Sequence, residues 1–239
     1  MSDSTVVMFH DKILKIQIMS EESENEYRVM KWLQDKLAVP KILGFERDER
    51  KNYLLMTKVP GEMSCADKYM NMPEQLTTML AEGLQMLWKV DISDYPYNFN
   101  LEKKLQIAKY RVENKLVDMD DVEPDTFGED GFKNPDLLLE WLNNNKPEEE
   151  LVLSHGDFCL PNIFLSDVKI SGYIDLGRAG VADRWQDIAL CYRSLNHNFN
   201  GKYNGKQYQG FYVDMLFEKL GIEPDWNKIR YYILLDELF

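Results

Sequence analysis

The sequence predicts an α+β protein of two lobes: a small β-rich one at about residues 1–60 and a larger, mainly helical one at about 61–239. Three observations predict this. Short apolar runs broken by charged turns fill the first part of the chain. Pro60-Gly61 then interrupts the pattern. Beyond it, apolar residues recur three and four apart, the spacing that buries one helical face.

Thr5 to Phe9 and Ile13 to Ile18, split by His10-Asp11-Lys12, read as a β-hairpin. Glu21 to Leu37 has helical spacing, with Tyr27, Met30, Leu33 and Leu37 on one side and Pro40 following. Lys41 to Glu46 and Tyr53 to Thr57 read as strands around a charged turn, Arg47 to Asn52. In the second lobe, Pro73 to Val90 places Leu76, Met79, Leu80, Leu84 and Leu87 on one helical face. Leu101 to Leu116 and Asp136 to Asn144 are further helices, separated by an acidic loop, Asp118 to Asp130. Leu151 to Ser154 is a strand leading into His155-Gly156-Asp157. Ile163 to Leu165 and Ile170 to Ile174 form a hairpin around Ser166-Asp167, and two or three helices finish the chain.

With 239 residues and 44% hydrophobic content, the chain has ample material for a core. Its formal net charge of −13 repels nucleic acid and anionic membranes and attracts cations. Neither a nucleic-acid nor a membrane partner is expected, and no apolar run reaches the length of a span. Cys65, Cys159 and Cys191 are too few and too scattered for a disulfide framework or a zinc site. The opening MSDSTVVMFHDKILK carries charges where a signal peptide needs an apolar stretch, so a cytoplasmic setting is expected.

The chemistry lies between Leu153 and Asp187, LSHGDFCLPNIFLSDVKISGYIDLGRAGVADRWQD. Asp157 comes first, Asn162 lies five residues on, and Asp175 thirteen after that. Phosphoryl transfer needs such a set. One carboxylate accepts or orients a hydroxyl, while an amide oxygen and a second carboxylate suit Mg²⁺, a hard cation. The tripeptide His155-Gly156-Asp157 alone most often marks a turn, and Lys15 alone reads as an ordinary strand lysine. It is the combined spacing that points to catalysis.

These motifs, with VPKILGFE, DISDYPY, KPEEELVLSHGD, GYIDLGRAGVADRWQDIA and YYILLDELF, resemble the aminoglycoside phosphotransferase family from about Ser4 to Phe239. The pattern is that of the 3′-phosphotransferases. The resemblance implies a protein-kinase-like fold and transfer of the γ-phosphate of ATP, with Mg²⁺, to a hydroxyl of an aminoglycoside antibiotic. It makes Asp157 the catalytic base, Asn162 and Asp175 the metal ligands, and His155 the residue that orders their loop. Lys15 becomes the contact to the nucleotide phosphates and Glu26 its ion-pair partner. Leu55 to Pro60 becomes the hinge for adenine, with Met56, Thr57 and Val59 lining it. Arg178 follows the metal loop as a substrate or structural contact. Asp183 and Asp187 fix the loop and the next helix.

Asp118 to Asp130 is crowded with like charge, as in a solvated surface loop. The resemblance gives it a role. Asp120, Asp121 and Glu123, with Asp236, Glu237 and Phe239 at the chain end, would face a polycationic aminosugar. Ser2 to Thr5 stand where the family's phosphate-covering loop is already under way, which implies a reduced lid over ATP. Two alternatives remain at this point: a kinase of another small cationic alcohol (choline-like, macrolide or amino sugar), and a catalytically weak binding protein.

Overall fold

The computed structural model describes residues 4–96, 98–120, 122–129 and 131–239. A four-stranded antiparallel sheet opens the chain: β1 (Ser4–Met8), β2 (Lys12–Ile18), β3 (Ile42–Arg47) and β4 (Lys51–Thr57), in the order β1-β2-β4-β3. Helix α1 (Glu21–Leu33) lies between β2 and β3. Then follow β5 (Glu62–Met63), α2 (Asp67–Met70), α3 (Pro73–Trp88), α4 (Leu101–Glu113) and α5 (Pro135–Asn144). Strand β6 (Leu151–Ser154) leads to a 3₁₀ turn at Leu160–Asn162, then β7 (Ile163–Ser166) and β8 (Lys169–Tyr173). A second 3₁₀ turn at Leu176–Arg178 precedes β9 (Gly180–Asp183), α6 (Arg184–Asn200), α7 (Met215–Leu220) and α8 (Trp226–Asp236). Strand β9, which sequence patterning missed, pairs antiparallel with β6.

Side-chain caps set the helix starts. Ser20 and Ser23 close a reciprocal capping box at α1. Asn100, Asn134 and Asp183 accept backbone N–H groups at the starts of α4, α5 and α6. The predicted face of α3 is buried throughout: Leu76, Met79, Leu80, Leu84 and Leu87.

Several expected boundaries shift, three of them for a visible reason. Helix α1 ends at Leu33 rather than Leu37, because Gln34 is extended and Asp35 is left-handed at φ 68°. Leu37 still packs on the core, which is why it fitted the period. Helix α4 ends at Glu113 rather than Leu116, since Lys115 is left-handed at φ 56° and Leu116 is exposed. The turn after β3 is tighter than the range from Arg47 to Asn52. Asp48 accepts the N–H groups of Arg50 (2.7 Å) and Lys51 (2.8 Å), so β4 begins at Lys51.

The two lobes meet where α1 packs against the turn at Leu176–Arg178. Asn25 is buried there, and its Nδ2 donates to the carbonyls of Gly177 (2.9 Å) and Ala179 (2.8 Å). Gly156, at φ 84°, lies against the same turn, and a Cβ built on it falls 2.0 Å from the Arg178 carbonyl oxygen. Gly156→Ala is therefore expected to destabilise the protein by about 2–4 kcal/mol, combining a left-handed non-glycine residue with overpacking. Gly205, at φ 73°, has open space around it, and Gly205→Ala should cost about 1–2 kcal/mol. Calorimetry on the two variants checks this; equal melting temperatures would mean that the contact with Arg178 does not matter.

Candidate active site

The hairpin of β7 and β8 gathers the site. Ile163 pairs with Tyr173 at its open end, so Asn162 and Asp175 leave the two strands side by side. The N–H of Ile174 donates to the Asn162 carbonyl at 3.0 Å and ties these exits together. Asp157 sits on the loop after β6. Asn162 reaches back to it, its Nδ2 donating to the Asp157 carbonyl (3.0 Å) and to Oδ2 (2.9 Å). This fixes the Asp157 carboxylate and leaves the Asn162 Oδ1 free to accept a cation.

Helix α6 holds that loop from below. Fully buried Asp187 accepts the N–H groups of His155 (2.7 Å) and Gly156 (2.9 Å). Burial pushes its carboxyl up, opposed by His155 and those two N–H groups. His155 is itself buried, and the N–H of Asp157 approaches its Nδ1 at 3.3 Å. Gln186 Nε2 donates to the Gly156 carbonyl at 2.8 Å. Asp183 caps α6 and accepts the Tyr232 hydroxyl at 2.8 Å.

Lys15 projects from β2 into the same space. Its ammonium donates to both carboxylate oxygens of Glu26 on α1 (2.9 and 2.8 Å) and to Asp175 Oδ1 (2.9 Å). One lysine thus joins the strand, the helix and the loop of the other lobe. Burial pulls its pKa down, but the two carboxylates outweigh this and hold it above the ordinary lysine value. Desolvation pushes the Asp175 carboxyl up, but Lys15 more than offsets it and holds it below the usual range; the side chain itself stays 54% exposed. Asp175 is left-handed, at φ 59°. Its Oδ2 and the Asn162 Oδ1 form a small set of hard oxygen donors. Among the described residues no group of three His, Cys, Asp or Glu could hold a metal, so a cation here would need ligands from a bound partner.

At the edge of the small lobe, Met56 is buried and the Thr57 N–H bonds the Lys41 carbonyl (2.9 Å). The Lys58 N–H bonds the Asp11 carbonyl (3.2 Å). Of the expected hinge residues Thr57 and Val59, only Val59 keeps an N–H with no backbone partner among the described residues. Its side chain packs against Gly172.

The acidic residues are arranged differently from a bare negative surface. Asp236 binds Arg178 (3.3 Å) and Arg193. Glu237 binds Arg193 (3.1 Å) and accepts the Glu123 N–H (2.7 Å), and burial pushes its carboxyl up to about 7. Glu123 pairs with Lys202 and His197. Arg178 also binds Glu22 (3.2 Å) and lies over the Phe239 ring, 5.0 Å from its centre. Asp120 is exposed, and Asp121 lies outside the described residues.

Residues 8–232 match the sequence model of the phosphotransferase enzyme family. The chain belongs to this family. It is 44% identical to the aminoglycoside 3′-phosphotransferase of Enterococcus faecalis over 220 residues, which cover 90% of this chain and 78% of that one. Among solved structures, a type VIII aminoglycoside-3′-phosphotransferase superposes with a TM-score of 0.81 at 23% identity, covering 99% of this chain and 94% of the other. An aminoglycoside phosphotransferase from Streptomyces rimosus, solved with ADP and streptomycin, gives 0.78 at 22%, covering 99% and 92%. These two likenesses show the fold, a two-lobed kinase-like one. Residues that sequence reasoning missed in this phosphotransferase are Asn25, Lys104, Arg193 and Lys202. Arg193 had a legible signal, a cation inside the apolar run IALCYRSL. Lys104 is buried beneath the catalytic loop beside Phe99 and Gln186, where burial lowers its pKa to about 8.

Lys15→Met leaves Glu26 and Asp175 facing each other without their cation. Removing one partner of a buried pair should destabilise this phosphotransferase by about 3–5 kcal/mol. Adding Glu26→Gln should recover part of the loss. Urea unfolding of the single and double variants measures both, and strictly additive effects would mean that the pair is not coupled.

Proposed function

We propose that this phosphotransferase transfers the γ-phosphate of ATP, with Mg²⁺, to the 3′ hydroxyl of an aminoglycoside antibiotic, conferring resistance to it. The observation that carries the reading is two hydrogen-bonded pairs, Lys15–Asp175 and Asn162–Asp157, at the adjoining ends of one hairpin, tied by the bond from the Ile174 N–H to the Asn162 carbonyl. The relatives' names, aminoglycoside 3′-phosphotransferase, support the substrate and the position. A small cationic alcohol such as choline would not need the ring of acidic residues that runs from Glu123 to Asp236. We place the enzyme in the cytoplasm, where ATP is plentiful; among the described residues no helix is long and apolar enough to cross a membrane.

Asp157 is the base. Its Oδ2 is held by Asn162, so the carboxylate keeps a fixed orientation toward an incoming hydroxyl and accepts its proton as transfer proceeds. Asn162 Oδ1 and Asp175 are the residues that would hold Mg²⁺, which would supply positive charge against the phosphates there. Lys15, already placed by Glu26, brings a positive charge to the nucleotide phosphates. The edge of β4 at Met56, Thr57 and Val59 is the place for adenine, with Val59 offering its N–H. Arg178 keeps the turn after Asp175 in register with the acidic wall.

Asp157→Asn keeps the shape and removes the base, so kcat should fall at least about 100-fold while the melting temperature stays near wild type. A coupled assay with kanamycin reads this, and near-normal turnover would remove Asp157 from the base role. Asn162→Ala and Asp175→Ala should each raise the Mg²⁺ concentration needed for half-maximal rate; a Mg²⁺ titration that matches wild type would show that they are not ligands. The KM for kanamycin should rise with NaCl as the Debye length shrinks from about 10 Å at 0.1 M to about 3 Å at 1 M. A flat KM would argue against recognition by carboxylates.

A further inference from the structure

Each described carboxylate at the inner acidic wall is paired with a cation of the chain, but the pairs are of two kinds. Arg193 spans Asp236 and Glu237, and its side chain is only 14% exposed. Arg178 spans Asp236 and Glu22. Each guanidinium joins two carboxylates and is part of the wall. Lys202 is different. Its ammonium reaches Glu123 alone among the described residues, and its side chain is 38% exposed. It rises from the turn that ends α6, where Gly201 is left-handed and the Lys202 N–H bonds His197 O and Asn200 Oδ1, both at 3.0 Å.

Glu123, by contrast, is anchored. Its N–H donates to Glu237 Oε2, and its Oε1 lies 3.3 Å from His197 Nε2. The other ring nitrogen of His197 lies 3.0 Å from the Tyr203 hydroxyl. With Nε2–H donating to Glu123, Nδ1 is left to accept from Tyr203. The carboxylate is thus held in place from its own backbone and from the histidine, while the lysine that covers it hangs from an exposed turn.

We propose that Lys202 is a built-in competitor for the cationic substrate, a specificity-determining residue whose ammonium occupies Glu123 until an ammonium of the substrate replaces it. The proposal rests on the acidic wall being the substrate's binding face. Exchange of one ammonium for another keeps Glu123 paired throughout. An exposed lysine–carboxylate pair is weak, so the exchange lowers apparent substrate affinity by about two- to five-fold. An arginine shared by two largely buried carboxylates is not displaced in this way. A ligand with a single ammonium gains little from swapping with Lys202, whereas one with several gains at the remaining carboxylates. The device therefore favours polycations.

The test is steady-state kinetics with kanamycin at about pH 8, above the ordinary histidine range, so that His197 stays neutral and does not take over from the missing lysine. Lys202→Met should lower the KM for kanamycin about two- to five-fold at low salt, with kcat and the KM for Mg-ATP unchanged. Lys202→Arg should restore the wild-type KM. The gain should vanish near about 1 M salt, and it should also vanish when Glu123→Gln is already present. An unchanged KM in Lys202→Met overturns the proposal. A raised KM overturns it too, and makes Lys202 a latch that orders the loop. Glu123→Gln alone separates the two levels. If it raises the kanamycin KM while Lys202→Met does nothing, the wall stands and the competitor falls. If neither variant changes the KM, the wall itself is not the binding face.

Discussion

The site depends on one ammonium group. Lys15 satisfies Glu26 on α1 and Asp175 on the turn of the other lobe, and each contact is short. Without it, the buried Glu26 carboxylate and Asp175, whose side chain is half exposed, would face each other with no cation between them. Charges there interact strongly, and an unpaired one is expensive to bury. With it, β2, α1 and the loop after β8 share a single point of reference. Asn25 adds a second tie a few residues away, gripping the carbonyls of Gly177 and Ala179 from the same helix. The relation between the lobes is thus set by polar contacts at the candidate site itself.

The large lobe uses the same economy. Asp187, deep in α6, holds the N–H groups of His155 and Gly156 on the loop before Asp157, and Gln186 beside it holds the Gly156 carbonyl. Asp157 can be partly exposed because the backbone beneath it is fixed. Outside this centre the charges form a chain: Glu22, Arg178, Asp236, Arg193 and Glu237, continuing through the Glu123 N–H to Lys202 and His197. It runs from the small lobe, past the turn after Asp175, to the end of α6. A net charge of −13 supplies the long-range field, whereas the local wall is close to balanced.

Much of this was legible in the sequence, for reasons that differ by element. The β7–β8 hairpin, β6 and α3 follow from local periodicity, which their packing obeys. The grouping of Asp157, Asn162 and Asp175 follows from spacing, because one short hairpin must return Asp175 to the side of Asn162. The partnership of Lys15 with Glu26 came only through family likeness, since Glu21, Glu22 and Glu24 are equally near in sequence. The end of α1 was misplaced because Leu37 keeps the hydrophobic period after the backbone has left the helix. The pairing within the acidic wall was illegible. Arg193 and Lys202 lie far along the chain from Glu123, and they come together because α6 packs against α8 and the Glu123 N–H bonds Glu237 just beyond α8.

Asn162 shows how an amide can serve two neighbours. Its nitrogen faces Asp157 as a donor, and its oxygen is left for a cation. An aspartate would present lone pairs to Asp157 and repel it, so the residue type follows from the carboxylate beside it. This bears on how the protein ages. Asparagine deamidates when the backbone nitrogen of the following residue attacks its side-chain carbonyl, and the product aspartate would lose the donor that holds Asp157. Here that nitrogen belongs to Ile163, a β-branched residue at the start of a strand, and its N–H is already bound to the Leu160 carbonyl. The turn that shapes the site also shields this amide from slow chemical decay.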